Sequence, residues 1–116
     1  VQQIMDAQGL YDTLAPLQAA KGYFFNPDKA MTLELMAGLL VNKDRYGYMA
    51  CPCRLASGKF ELDRDVVCPC AYRDADVAEY GACFCGLYVS AAGRDGAALP
   101  TVPERRPVEK TLAALG

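Results

Sequence analysis

A chain of 116 residues is one domain, large enough to bury a core without a disulfide framework. It is 53% hydrophobic and 22% charged, with a net charge of −2 and a pI near 5.0, so nothing global favours a nucleic-acid partner. No apolar run approaches the ~20 residues that a membrane span needs, and Val1 to Asp6 lacks the basic start and apolar stretch of a secretory leader. Removal of a preceding segment stays open.

The N-terminal third reads as helical. Residues 3–20 carry Ile4, Leu10, Leu14 and Leu17 on a recurring face, interrupted by Gly9 and Pro16. Gly22 stands where a helix C-cap is expected. A second helix is predicted to start with Asn26 as N-cap, Pro27 in the first position and Asp28 at the positive end of the dipole. Met31, Leu33, Leu35, Met36, Leu39 and Leu40 give it a broad apolar face. It is expected to fray through Asn42 to Asp44 and to end before Gly47.

From residue 44 to residue 90 the texture changes to short segments broken by Cys, Pro and Gly. Asp74 to Tyr80 is expected to form a brief helix with an Asp cap and Gly81 as terminator. Leu87 to Val89 reads as a short strand or an extended exit. The tail is Ala- and Gly-rich from Ala91 to Ala98, and Pro100, Pro103 and Pro107 then forbid regular structure. Val108 to Leu115 can add a last turn or two of helix. The tail is expected to lie over the body and not to form a second domain.

Six Cys and no His are the unusual numbers. Without His, most catalytic zinc sites, haem ligation through His and every Cys–His nucleophile pair are excluded. All six cysteines fall in pairs: Cys51-Pro52-Cys53, Cys68-Pro69-Cys70 and Cys83-Phe84-Cys85, separated by fourteen and then twelve residues. A disulfide between cysteines one residue apart is strained, yet both side chains of a pair can reach one centre. Proline stiffens the first two pairs by fixing its own φ and biasing the preceding Cys away from the helical region. Three such clips in 35 residues indicate a metal or redox centre in a reducing compartment.

Four thiolates complete a 4Fe–4S cluster or a mononuclear site, so six leave two over. The surplus pair is either inert or a second functional element. A structural zinc module or a simple 4Fe–4S electron carrier, each with two spare thiols, fits the first case. A redox-active disulfide beside a cluster fits the second. Electrons from a donor near about −400 mV to an acceptor near about −270 mV run downhill by ~6 kcal/mol for two electrons. The difficulty lies in the half-reduced state, because such donors deliver electrons one at a time.

At this point the residues resemble a family, the catalytic subunit of ferredoxin:thioredoxin reductase. The resemblance covers most of the chain. It rests on the three clips in order after a helical region, and on the neighbouring Arg45-Tyr46-Gly47-Tyr48, Cys53-Arg54-Leu55-Ala56-Ser57-Gly58, Glu79-Tyr80-Gly81 and Pro103-Glu104-Arg105-Arg106-Pro107. It implies a mainly α, small single-domain fold wrapped around a 4Fe–4S cluster. Residues 1–46 would be helical, 47–90 would carry cluster and disulfide, and 91–116 would form an irregular Pro-rich tail. It implies Cys51, Cys68, Cys70 and Cys83 as ligands to the cluster iron, and Cys53 and Cys85 as the catalytic disulfide. Cys53 would attack the target disulfide, while Cys85 would bond to the cluster once a single electron has arrived. The partners implied are a ferredoxin as donor and a thioredoxin or thioredoxin-like acceptor, in a bacterial or archaeal cytoplasm, with no nucleic acid and no membrane. The small companion subunit of the chloroplast enzymes stays open.

Two departures from the chloroplast pattern stand out. The gaps between clips differ, and Phe84 replaces the His of a Cys-His-Cys clip. Proton handling then falls to water or to Tyr48, Glu79 or Tyr80. Arg54 is a candidate to favour ionisation of Cys53. Arg45, Lys59, Arg64, Arg73, Arg105 and Arg106 are candidates for a local basic patch that would steer an acidic donor.

Overall fold

The computed structural model describes residues 6–115, so the predicted helix start at residue 3, with Ile4, lies outside the described residues. The first helix, α1 (Ala7–Ala19), opens on Asp6, whose Oδ1 accepts from Gly9 N at 2.8 Å. Leu10 turns into the core, but Leu17 is exposed. Its neighbour Gln18 is the buried residue of the last turn, because its amide has a partner inside. Gly22 does adopt the left-handed conformation, two residues beyond the cap, in the turn that leads to strand β1 (Phe24–Phe25).

The long helix α2 (Lys29–Tyr46) begins later than expected. Asp28 is the cap, accepting from Met31 N at 3.1 Å. Asn26 is engaged elsewhere: its Oδ1 accepts from Asp28 N and its Nδ2 donates to Gly86 O at 3.0 Å. A side chain tied to the third clip cannot also cap the helix. The C-terminus follows expectation in that Gly47, with φ 86°, closes it in the left-handed region, but the helix stays regular through Asn42 to Asp44. Met36, Leu39 and Leu40 are buried, together with Thr32, whose hydroxyl donates to Asn26 O.

Two short elements follow the first clip, α3 (Phe60–Asp63) and a 3₁₀ turn at Arg64–Val66. Helix α4 (Arg73–Tyr80) starts after Tyr72 with no side-chain cap; Asp74, expected as the cap, sits within the first turn and pairs with Arg73. Gly81 ends it in the left-handed conformation, as expected. Strand β2 (Tyr88–Val89) pairs antiparallel with β1, Phe24 against Val89 and Phe25 against Tyr88. The short α5 (Ala91–Arg94) and the tail helix α6 (Val108–Leu115) complete a mainly α domain. No helix among the described residues is long and apolar enough to cross a membrane.

The main core joins Leu10 of α1, Met36, Leu39 and Leu40 of α2, Phe25 and Tyr88 of the strands, and Leu87. Cys83 belongs to the same core, with Cys68 and Cys85 packed against it. The thiols therefore stand where the hydrophobic interior meets the loops. Low local dielectric is built into the centre.

Between Pro103 and Pro107 the tail crosses the body as a strap. Three successive side chains each bind a different segment. Glu104 pairs with Arg54 at 2.8 Å, Arg105 reaches Asp76 and Glu79 of α4, and Arg106 reaches Asp65 at 2.9 Å and Leu62 O at 3.0 Å. These contacts hold residues 104–106 against the body, whereas Ala91–Arg94 and Val108–Leu115 of the tail expected to be irregular are helical.

Candidate redox centre

Each clip is held by its own local structure. The first and second meet through an antiparallel bridge between Ala50 and Val67, in which Cys51 N donates to Val66 O and Cys68 N to Met49 O, both at 2.8 Å. The third clip is a tight reversal. Ala82 bridges Val89, Cys83 N donates to Tyr88 O at 2.9 Å, and Tyr88 N donates back to Cys83 Sγ at 3.3 Å. Gly86, with φ 79°, supplies the left-handed turn that the reversal requires. The Cys68–Pro69 peptide is cis.

Helix α2 fixes the height of the first clip through a missing side chain. A Cβ on Gly38 would lie 2.9 Å from Pro52 Cβ. Gly38→Ala gains about 1 kcal/mol of helix propensity, but the proline ring cannot step aside and overpacking costs about 1–3 kcal/mol. The clash is expected to win. The variant should unfold at lower urea, and Cys51, buried in the parent, should become labelled faster by a thiol reagent.

Five of the six thiols share one cavity. Cys51, Cys68, Cys70, Cys83 and Cys85 line one cavity with Arg54, Arg73, Phe84 and Tyr88. Cys83 Sγ lies 3.7 Å from Cys85 Sγ. Cys51, Cys53 and Cys83 push the pKa of Cys85 up. The reciprocal effect lowers Cys51, through Cys53 and Cys85, and lowers Cys83, through Cys85. Burial pushes Cys68 up, and burial likewise raises Cys70 against the pull of Arg54. Cys53 is raised, mainly by Cys51, and it alone of the six is exposed.

Among the described residues no three of His, Cys, Asp and Glu converge closely enough to hold a single ion. The donor chemistry fits an iron–sulfur cluster: four thiolates holding one would be net anionic, and the Arg54 and Arg73 guanidinium groups line the same cavity. Arg73 is held by Gln18 Oε1 at 2.7 Å and stacks on Tyr23 and Tyr88. Arg54 donates from Nη1 to Cys70 Sγ at 3.3 Å and lies over Phe84, 4.6 Å from the ring centre.

Several expected residues take other places. Arg54 acts on Cys70 and Glu104, and not on Cys53. Tyr48 donates its hydroxyl to Asp63, which burial pushes up but which accepts enough hydrogen bonds, from Tyr48, Ser57 and Gly58, to be held below the ordinary carboxylate range. Glu79 pairs with Arg105, and Tyr80 packs against Ala82, Val89 and Val102. None of the three lines the cavity. Of the basic patch, Arg73 and Arg106 are buried and Arg105 is paired, which leaves Arg45, Lys59 and Arg64 exposed. The missed residues are Gln18, Glu104 and Tyr88. Only the Pro-Glu-Arg-Arg-Pro segment carried a signal for one of them.

No curated protein matches the chain. A family model, described as the ferredoxin thioredoxin reductase catalytic beta chain, matches residues 9–110, which include all three clips and the strap. With nearly its whole length matched and five of its six cysteines lining one cavity, the chain belongs to the family of the ferredoxin thioredoxin reductase catalytic beta chain.

Proposed function

We propose that the chain reduces disulfides of a thioredoxin-like protein with electrons taken singly from a ferredoxin. The observation that carries this reading is the cavity shared by Cys51, Cys68, Cys70, Cys83 and Cys85, with Cys85 Sγ 3.7 Å from Cys83 Sγ and Cys53 exposed. Cys51, Cys68, Cys70 and Cys83 would hold the cluster. A 4Fe–4S cluster there supplies one-electron delivery at the flank of a disulfide.

The chain's own residues do the rest. Two electrons and two protons open the Cys53–Cys85 disulfide to a dithiol. Cys53, exposed, attacks a sulfur of the target disulfide as thiolate, forms a mixed disulfide and expels the first target thiolate. Cys85, half-buried behind it, attacks Cys53 Sγ, releases the second target thiolate and restores the disulfide. Phe84 has no proton to give, and bulk water reaches Cys53 directly, so water carries the protons at that sulfur.

Iron and sulfide analysis of protein purified without oxygen tests the reading. Four of each per chain are expected, with two fewer reactive thiols in the unreduced protein than in the reduced one. Zinc in place of iron would sink it. Iron and sulfide with no difference in thiol count would leave a simple electron carrier.

A further inference from the structure

We propose that Arg54, held by Glu104 of the strap, is a positioning residue that sets the electron affinity of the centre; this rests on the cluster reading above. The guanidinium is nearly sealed, with its side chain 2% exposed. Each of its three nitrogens has a partner. Nε and Nη2 make a fork to the Glu104 carboxylate at 2.8–3.1 Å, and Nη1 points to Cys70 Sγ at 3.3 Å. Phe84 and Tyr72 lie beneath it, with ring centres 4.6 and 5.3 Å from Cζ. The plane of the group is therefore fixed by a carboxylate at one end and aromatic faces at the side.

An arginine so placed cannot act as a proton donor, because it never loses its charge. What it can do is stabilise electron density on the sulfur that it touches. A charged N–H donor to a ligand thiolate favours the electron-rich state, and more strongly where water is excluded. Glu104 opposes this, since its negative charge offsets the guanidinium while its geometry keeps Nη1 on Cys70. The two residues pull the midpoint potential in opposite directions. A purely structural clamp would not do so.

Redox titration of the cluster's absorbance in the holoprotein, purified without oxygen, tests the proposal with Arg54→Gln and Glu104→Gln. Arg54→Gln should lower the reduced-to-oxidised ratio about tenfold at a fixed potential, equivalent to ~59 mV for one electron. Glu104→Gln keeps the acceptor oxygen shared by Arg54 Nε, Arg54 Nη2 and Arg106 N and removes the charge together with the second acceptor of Nε, so its midpoint should move upward. Should Arg54→Gln fail to assemble its centre, the isosteric Glu104→Gln decides alone. Midpoints that coincide with the parent's, or that move the same way in both variants, overturn the inference and leave the disulfide reductase intact. A parent protein without iron overturns both.

Discussion

Replacing Cys53 with serine should abolish thioredoxin reduction while the iron and sulfide content stays at the parent's level. The cavity is lined by the other five cysteines, and Cys53 is exposed. Removing it costs the protein its attacking sulfur and none of the four expected ligands. Cys85→Ser gives the complementary result. The attack by Cys53 still proceeds but nothing resolves it, so a covalent adduct with the target should accumulate and be released by added dithiol. Non-reducing gel electrophoresis and mass spectrometry read both outcomes. If Cys53→Ser lost its iron, or if Cys85 instead of Cys53 formed the trapped adduct, the division of roles would be wrong.

The second large effect is structural. Arg106 is 4% exposed, and its guanidinium is shared between Asp65 and the Leu62 carbonyl. Asp65 also accepts from the Tyr72 hydroxyl at 2.6 Å. Breaking a buried pair by removing one partner costs about 3–5 kcal/mol, because the other charge stays buried, so Arg106→Ala should lower the stability at neutral pH by that order. Burial alone would raise the pKa of Asp65, but the Tyr72 hydroxyl and Arg106 more than offset this and hold it low. A depressed carboxyl contributes stability above its unfolded pKa, about 3.9, which is lost as pH falls through the folded value. The parent and Arg106→Ala should therefore differ most near pH 7 and converge in acid. Urea midpoints across that range check it, and a constant difference down to pH 2 would contradict the assignment.

Part of the molecule was legible in the sequence because its causes are local. Cys-Pro-Cys announces a stiff clip whatever surrounds it, and Gly47 and Gly81 end their helices because only glycine takes the left-handed conformation without cost. Other features depend on partners far along the chain. Asn26 has the chemistry of a cap, but Gly86, sixty residues away, claims its amide, and the cap moves to Asp28. Two-residue strands carry no periodicity, so the pairing of Phe24–Phe25 with Tyr88–Val89 could not be read from spacing. Gln18 offered no sign of burial until Arg73 was placed against it. Arg54 is the sequence neighbour of Cys53, yet its contacts run to Cys70 and Glu104. Adjacency in sequence is weak guidance for an extended side chain on a turn.

The strap also bears on how the molecule is made. Both outer clips and the bridge between Ala50 and Val67 can form on a nascent polypeptide before its last segment leaves the ribosome, but the counter-anion for Arg54 arrives only with Glu104. Until synthesis has passed that point, a buried cation faces the thiols without its carboxylate, and α3 and α4 lack their shared fastening through Arg106 and Arg105. The last fastening of the first clip is thereby deferred until residues 104–106 have been added.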